Sequence, residues 1–303
     1  MGKRAKLSVM KVFVTGATGY IGSAICDALR ASGHQAIGLA RSEEKAAALS
    51  ARGDQPLPGN LQDHESLRKG CLQADAVIHT AMSFTPDAGA VDRSAVEAML
   101  AALDGSNKPF IYTSGVWVYG DTGDRMLGEV APLNPPPLVA WRPAVEELVL
   151  EAAQRGVRAM VFRPGMVFGR KGGFLRGFFD DARSHGAVRV IGDGKNYWSS
   201  VHADDLADLY LRAVLRPAAG QLFVTCGGMP QQVNRIAEAV AEACGVPGKV
   251  EHIPLDAARQ QLGPMADCLA MTCKAGSTKP ARFFGWTVRH PSVFDEIASG
   301  SYL

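Results

Sequence analysis

The segment "VTGATGYIG" spaces three glycines, Gly16, Gly19 and Gly22, three residues apart. The run "KVFVT" (11–15) is rich in β-branched and aromatic residues, and "IGSAICDALRAS" (21–32) has apolar residues at helical spacing. In such a strand–turn–helix unit, backbone N–H groups approach a pyrophosphate at the positive end of the helix dipole. The segment therefore predicts a dinucleotide-binding site, against the alternative of a purely structural glycine turn.

Short apolar runs and amphipathic helical segments continue to alternate over the first two thirds of the chain. This alternation predicts an α/β fold with a Rossmann-type, doubly wound parallel sheet covered by helices on both faces. The predicted strands are 34–40, 75–81, 109–114 and 158–164, and the predicted helices are 42–51, 90–103 and the one containing 145–150.

The pattern loosens after Gly165, although a helix at 201–214, a strand at 221–226 and a helix at 230–244 are still predicted. We therefore predict a dinucleotide-binding Rossmann core over 1–165. The remainder, 166–303, is a mixed region that contains late core elements (about 186–226) and a smaller C-terminal substrate-binding lobe.

Composition excludes several classes of function. The formal charge of +2 indicates no nucleic-acid partner, and the absence of an apolar run of about 18 residues argues against a membrane span. The basic start "MGKRAKLSVM" lacks the pattern of a secretory signal and predicts a short disordered lead-in. The six cysteines form no Cys-x-x-Cys pair, which is typical of reduced thiols in a cytoplasmic protein.

The second predicted strand ends in "GLARS", with Ala40, Arg41 and Ser42 at its end. Chains that bind the ribose hydroxyls of NAD usually have Asp or Glu at this position. A guanidinium and a hydroxyl suit a 2′-phosphate instead, because Arg forms charge-assisted hydrogen bonds with phosphate oxygens. The sequence thus favours NADP as cofactor, although Arg41 could simply be exposed at a helix start.

Five motifs in order resemble the extended short-chain dehydrogenases/reductases of the NAD-dependent epimerase/dehydratase superfamily. They are "TGATGYIG", "VIHTA" (77–81), "YTSGVWVYG" (112–120), "RPGMVFG" (163–169) and "VHADDLADLY" (201–210). The resemblance implies a nicotinamide cofactor and an oxidoreductase, epimerase or related activity.

The resemblance also implies which residues surround the cofactor. Ser114, or Gly115 in the neighbouring register, would occupy the position where the family binds a substrate carbonyl, and His202, Asp204 and Asp205 would lie at a structural helix start. His79, by its place on a central strand, is predicted to be a core histidine and not a catalytic one. The implied cofactor contacts are Gly16, Thr18, Gly19, Tyr20, Ile21 and Gly22 in the loop, Arg41 and Ser42, Asn60 and Leu61 at the adenine, Thr80, Ala81 and Met82 in the groove, and Pro164, Gly165 and Val167 beside the nicotinamide.

The family's Tyr-x-x-x-Lys pair is missing from "LNPPPLVAWRPAVEELVL" (133–150). One register places Leu138 and Arg142 at its positions, and another places Trp141 and Val145 there. Leu and Trp have no proton to give to an alkoxide, so the active site is predicted to be atypical. Arg142 would bind cofactor or stabilise an oxyanion, or else be a solvated side chain beside Trp141.

Another acid would then be needed, from Tyr119, Tyr197 or water. We predict an NADP-dependent reductase of a small apolar carbonyl or enone, with Ser114, Arg142 and Tyr197 as catalytic residues and no metal. A non-redox isomerase or cyclase and a non-enzymatic NADP-binding regulator are the alternatives. The apolar residues 145–153 allow a homodimer, and the apolar substrate pocket is predicted to contain Phe84, Trp117, Phe168, Phe174 and Trp198.

Overall fold

The computed structural model describes residues 8–83, 85–290, 292–298 and 301–302; the predicted lead-in up to residue 7 and Phe84 lie outside them. A seven-stranded parallel sheet has the order β11-β6-β5-β4-β1-β2-β3. Its strands are β1 (Lys11–Thr15), β2 (Gln35–Ala40), β3 (Gln55–Pro58), β4 (Ala76–His79), β5 (Pro109–Thr113), β6 (Arg158–Pro164) and β11 (Gln221–Thr225). The Rossmann-type fold predicted from the alternating pattern is confirmed.

Three two-stranded ladders, β10-β7, β12-β9 and β13-β8, accompany this sheet. Their strands are β7 (Met166–Gly169), β8 (Val188–Ile191), β9 (Tyr197–Trp198), β10 (Ser200–His202), β12 (Gln231–Gln232) and β13 (Val250–Ile253). The helices are α1 (Tyr20–Ala31), α2 (Glu43–Ala51), α3 (His64–Gln73), α4 (Ala88–Leu103), α5 (Arg142–Glu151), α6 (Gly173–His185), α7 (Ala203–Leu215), α8 (Val233–Ala243), α9 (Leu255–Leu262), α10 (Met265–Ala270), α11 (Lys279–Phe284) and α12 (Val293–Ala298).

The chain forms two compact units that are discontinuous in sequence. Unit 1 contains Met1–Tyr112, Leu148–Met160 and Ala213–Gly220, and unit 2 contains Thr113–Glu147, Val161–Arg212 and Gln221–Leu303. The predicted functional division at residue 165 stays a prediction.

Two predicted boundaries are wrong for physical reasons. Val201 and His202 do not begin a helix, because they pair with Val167 and Phe168 in the β10-β7 ladder. The helix predicted from residue 230 begins at Val233 instead, since the two residues before it pair with β9.

The apolar periodicity of α6 and α8 is satisfied by a core in unit 2. Phe179 of α6 and Val240 of α8 belong to one buried cluster. Tyr302 closes this cluster, because its ring stacks on Phe179 at 4.9 Å and its hydroxyl donates to the carbonyl of Gly172 at 2.7 Å. Tyr302 thereby holds the loop that leads into α6, in which Arg170 has a positive φ of 52°.

The glycine loop is shaped by two close backbone approaches in unit 1. Gly16 has a φ of +72°, and a Cβ there would lie 2.8 Å from the backbone nitrogen of Ala81. A Cβ on Gly22 would lie 2.1 Å from the carbonyl oxygen of Gly16, so α1 packs directly on the turn after β1. Only glycine permits this packing, which fixes the start of α1 against the end of β1.

Helix α5 contains most of the apolar segment 145–153 through which the homodimer is predicted. Val145 and Val149 are buried, and Leu148 and Leu150 are half-buried. The homodimer stays a prediction. In the described part of the chain no helix is long and apolar enough to cross a membrane, and the cytoplasmic location stays a prediction. All six cysteines are free thiols.

Replacing Gly22 with Ala should destabilise the protein by roughly 1–3 kcal/mol, because the new methyl group would overlap backbone atoms that cannot rotate away. Gly19→Ala is the matched control in the same loop: its Cβ would meet only the Gly16 carbonyl oxygen, at 3.1 Å, and its φ of −79° suits alanine. Denaturant unfolding of the three proteins measures the difference. Equal free energies of unfolding for the two variants would contradict the packing argument.

His202 is buried in unit 2 and stacks on His290 with ring centroids 4.1 Å apart. Burial and the neighbouring His290 lower the pKa of His202, although Asp204, Glu296 and Asp205 act in the opposite direction. The folded chain therefore keeps this imidazole neutral at a pH where the unfolded chain protonates it.

A lowered folded-state pKa means that the unfolded chain binds more protons below about pH 6.5, the ordinary value for His. The stability that comes from neutral His202 is thus fully present above that pH and is lost as the pH falls. We expect His202→Gln to lose less stability than the parent protein between pH 7 and pH 5, measured by denaturant unfolding. An equal loss of stability in the two proteins over this pH range would refute the assignment.

Candidate functional site

Unit 1 contains a cavity of about 600 Å³ at the carboxyl ends of β1, β2 and β4. It brings together most of the residues that the sequence assigns to the cofactor. These lining residues are Gly16, Thr18, Gly19, Tyr20, Ile21, Gly22, Arg41, Asn60, Leu61, Thr80, Ala81 and Met82. Gly59, Gln62, Ser83, Thr85 and Asp87 also line it and were missed, because they lie in irregular loops without a motif.

The end of the cavity at α1 has the features that a pyrophosphate requires. The first turn of α1, Tyr20–Ser23, is uncharged, and Gly19 at its N-terminus carries no side chain that could cap the helix amides. These amides and the helix dipole favour an anion. The cradle that a Cβ would fill at Gly16 and Gly22 supports the same conclusion, so the described residues fit a dinucleotide.

A buried polar network supports this end of the cavity from behind. His79 lies between Thr15 and Asp92: its Nδ1 is 2.6 Å from Thr15 Oγ1, and its Nε2 is 3.1 Å from Asp92 Oδ1. The hydroxyl of Tyr112 donates to the other oxygen of Asp92 at 2.8 Å. His79 is therefore a satisfied core histidine, as predicted, and it fixes the strand ends from which Gly16 and Thr80 follow.

The predicted 2′-phosphate residues have different environments. Arg41 is exposed, lines the cavity, and has no hydrogen bond or ion pair with any residue that the structure describes. Ser42 caps α2, since its Oγ accepts from the backbone N–H of Lys45 at 3.3 Å, and it is absent from the described lining. Ala40, which ends β2, places no carboxylate here.

Ser114 follows β5 and lies in unit 2. Its backbone N–H donates to the carbonyl of Phe162 at 2.8 Å, which continues the strand pairing one residue beyond β5. The side chain is 7% exposed, and its hydroxyl has no partner among the described residues. A buried hydroxyl without a partner is destabilising, so this oxygen is suited to a group that arrives from outside. Gly115, the alternative register, is half-buried and offers only its backbone.

Arg142 begins α5, and its Nη1 donates to the carbonyl of Thr113 at 2.9 Å. The guanidinium lies 4.9 Å from the ring centre of Trp141, whose own Nε1 donates to the carbonyl of Leu138 at 3.2 Å. These contacts compensate for a cation at the positive end of a helix. Arg142 is thus tied to the residue that precedes Ser114, whereas Val145, its counterpart in the later register, is buried in the core.

Tyr210 contacts Thr113, the residue before Ser114, and was not predicted from the sequence to lie there. Its hydroxyl lies 2.5 Å from Thr113 Oγ1, and its side chain is fully buried against Phe162. Burial raises the pKa of Tyr210, and the charge of Arg142 acts in the opposite direction. Tyr210 therefore positions the end of β5 rather than meeting a ligand, and only its place in the long α7 helix could have suggested this.

Tyr119 is excluded as the replacement acid. Its hydroxyl donates to the carbonyl of Gly128 at 2.9 Å and accepts from Arg163 Nη1 at 3.0 Å. Burial raises the pKa of Tyr119 to about 12, although the charge of Arg163 opposes this shift. Both its donor and its acceptor functions are already used within the protein.

Tyr197 lies on β9, half-buried, with the ammonium of Lys274 4.3 Å from its ring centre. In the described residues no hydrogen bond, ion pair or ring contact joins it to Ser114. The predicted nicotinamide residues Pro164, Gly165 and Val167 belong to unit 2, and Gly165 donates to the carbonyl of Thr225 at 3.3 Å. The catalytic and nicotinamide-side assignments stay predictions.

Unit 2 has its own cavity, of about 410 Å³. Of the predicted apolar pocket, Phe174 and Trp198 line this cavity. Phe168 is fully buried in the core, which corrects the prediction for this residue, whereas Trp117 is only half-buried in a separate cluster with Val116 and Leu127 and its place in a substrate pocket stays a prediction. Periodicity marks all four as apolar but cannot separate a core position from a cavity wall.

Comparisons with known proteins find relatives that extend over most of this chain. An uncharacterised protein of Schizosaccharomyces pombe is 33% identical over 302 residues, covering 97% of this chain and all of that protein. A 4-hydroxy-2-methyl-3-oxo-4-farnesyl-3,4-dihydroquinoline-1-oxide ketoreductase of Stigmatella aurantiaca is 29% identical, covering 82% of this chain and 78% of its own.

Among solved structures, a UDP-glucose 4-epimerase of Thermotoga maritima superimposes with a TM-score of 0.82 at 19% identity, covering 97% of this chain and 98% of its own. That likeness shows the fold alone. A sequence model of the NAD-dependent epimerase/dehydratase family matches residues 12–226. The chain therefore belongs to the NAD-dependent epimerase/dehydratase family, within the extended short-chain dehydrogenases/reductases.

Proposed function

We propose that the protein is an NADP-dependent oxidoreductase that reduces a small apolar carbonyl compound or enone. The observation that carries this proposal is the buried Ser114 hydroxyl, which has no partner among the described residues. It follows a strand of a family fold whose glycine loop is intact. Two relatives are named as reductases of ketone-bearing molecules, the Stigmatella ketoreductase and a 2-alkyl-3-oxoalkanoate reductase of Stenotrophomonas maltophilia that is 25% identical.

NADPH, held by the glycine loop and Arg41, would supply a hydride to the carbonyl carbon of a ketone or aldehyde or to the β-carbon of an enone. Ser114 Oγ–H donates a hydrogen bond to the substrate oxygen, which becomes negative during this step. The guanidinium of Arg142 stabilises that charge without giving up a proton, because its pKa is above 12. The proton that completes the product comes from water or from the phenol of Tyr197.

We expect NADPH absorbance to fall when the protein meets a suitable member of a panel of apolar ketones, aldehydes and enones. Ser114→Ala should lower kcat by roughly 100-fold, the usual cost of one hydrogen-bond donor to an oxyanion. The same variant should keep the parent's melting temperature, because the lost hydroxyl has no described partner. Arg142→Met should also lower kcat, and Tyr197→Phe tests whether that phenol or water delivers the proton.

The other outcomes decide against reduction. Product formed without NADPH consumption would indicate an isomerase or cyclase, and tight NADPH binding without turnover of any panel member would indicate a regulator. A Ser114→Ala variant with parental kcat would show that this hydroxyl takes no part in the reaction and would contradict the proposal.

The preference for NADP rests on Arg41. Its guanidinium lines the unit 1 cavity without a described partner, whereas the end of β2 offers Ala40 in place of a carboxylate. A 2′-phosphate would give this cation a charge-assisted hydrogen bond. The ribose hydroxyls of NAD are uncharged and would form weaker hydrogen bonds with this guanidinium.

Arg41→Asp should weaken NADPH binding by roughly 10-fold to 100-fold, since hydrogen bonds to charged groups contribute about 1.5–3 kcal/mol, and should leave NADH binding nearly unchanged. Isothermal titration with both nucleotides measures this selectivity. Lys69→Asp makes the same change of charge on α3, outside the described lining, and should alter neither affinity. Equal binding of NADPH and NADH by the parent protein would show the preference to be wrong.

A further inference from the structure

The cavity of unit 2 lies among helices α6, α8, α9 and α10 and strands β8, β9 and β13. Helix α6 contributes Phe174 and Phe178, β9 contributes Trp198, and α9 and α10 contribute Leu262 and Leu269. Leu262 is 48% exposed, so this wall borders solvent. The volume of about 410 Å³ lies within the range of small-molecule sites.

The described lining is mostly apolar, with the amide of Gln261 at its exposed side, and its charges cancel. Asp181 and Arg189 are the charged residues in the described lining, and Arg189 Nη2 donates to Asp181 Oδ1 at 2.5 Å while its Nε donates to the same oxygen at 3.0 Å. A carboxylate or phosphate that entered the cavity would lose its hydration without gaining an unpaired cation from the described lining. An uncharged ligand has no such loss.

Trp198 supplies a buried polar group to the aromatic side of the cavity. Its ring packs edge-to-face with Phe174 at 5.1 Å and is stacked with Phe178 at 6.1 Å. The side chain is 3% exposed, and its Nε1 has no acceptor among the described residues. A buried N–H without an acceptor is unfavourable, and a ligand oxygen that reached it would remove this penalty.

We propose that this cavity binds an uncharged molecule with an aromatic or aliphatic body and one oxygen that accepts a hydrogen bond from Trp198 Nε1. The aromatic walls hold the apolar body, the Trp198 N–H selects the oxygen, and the internal Asp181–Arg189 pair disfavours ionised ligands. The identification of this ligand as the substrate rests on the proposed function. The binding of such a ligand to the cavity is independent of the proposed function.

Isothermal titration of the full chain without nucleotide tests the binding step, with three probes that share a phenyl group. They are 4-phenylbutan-2-one, a neutral ketone; 3-phenylpropanoate, of nearly the same shape but ionised; and butylbenzene, which lacks an acceptor. We expect the ketone to bind at least tenfold more tightly than either of the other two. Equal affinity for ketone and carboxylate would overturn the proposal.

Trp198→Phe removes the N–H and retains an aromatic wall. It should weaken the ketone about tenfold, to the level of butylbenzene, without changing butylbenzene binding. Trp117→Phe is the matched control, because Trp117 Nε1 is also buried without a described acceptor but lies in the separate cluster with Val116. A Trp198→Phe protein that still prefers the ketone to the hydrocarbon as strongly as the parent refutes the assigned hydrogen bond.

Leu262→Asp provides a second variant at an exposed position that tolerates substitution. It places a charge beside the bound body and should weaken the ketone at least tenfold; unchanged affinity would place the ligand elsewhere. A protein that binds the ketone as described but never oxidises NADPH would keep this inference and overturn the proposed function. If both cavity variants still reduce a ketone at the parental rate, the proposed function would stand and this inference would be overturned.

Discussion

The buried ion pair between Glu146 and Arg163 determines how unit 2 presents its candidate catalytic residues. Arg163 Nε donates to both carboxylate oxygens of Glu146, at 3.0 and 3.1 Å, and both side chains are almost fully buried. Arg163 also donates to the hydroxyl of Tyr119, which donates onward to Gly128. Removal of one partner from such a pair would leave a buried charge, at a cost of about 3–5 kcal/mol.

The same ion pair fixes the rotation of α5. Glu146 lies four residues after Arg142 and therefore on the same face of the helix. Once Glu146 is held by β6, Arg142 is directed to the carbonyl of Thr113, while Tyr210 holds the side chain of Thr113 from the other direction. Ser114 follows directly. The structural support for this helix is thus present, although neither Leu138 nor Trp141, the two residues predicted at the family's tyrosine position, can donate a proton to an alkoxide.

The sequence predicted best where residue type dictates backbone geometry. Gly16 and Gly22 permit approaches that no other residue allows, so their spacing predicted both the turn and the cavity that it lines. The edge strand β3 was missed, because Pro56 and Pro58 weaken the strand signal and are tolerated only where one side of a strand lacks a partner. Helices α10, α11 and α12 have six residues each, too few for a periodic pattern.

Side-chain partners were out of reach of the sequence, since they depend on contacts between distant segments. Nothing in "VWVYG" indicates that Tyr119 is occupied by Gly128 and Arg163 and cannot act as an acid. Likewise, the pattern at Ser42 does not show that its oxygen also caps α2 by accepting from the backbone N–H of Lys45. A motif gives residue types and order, whereas availability for a ligand depends on what the fold has already satisfied.

Loss of the tyrosine acid constrains the chemistry of the proposed substrate. Reduction of an isolated ketone produces a strongly basic alkoxide, which needs a proton donor close at hand. Hydride addition to an enone produces an enolate, in which the negative charge is delocalised and the oxygen is a weaker base. A hydroxyl at Ser114 and a fixed cation at Arg142 suit this second case, because they stabilise charge without transferring a proton. Among the substrates of the proposed reductase, conjugated carbonyl compounds are therefore the ones that this arrangement of residues serves best.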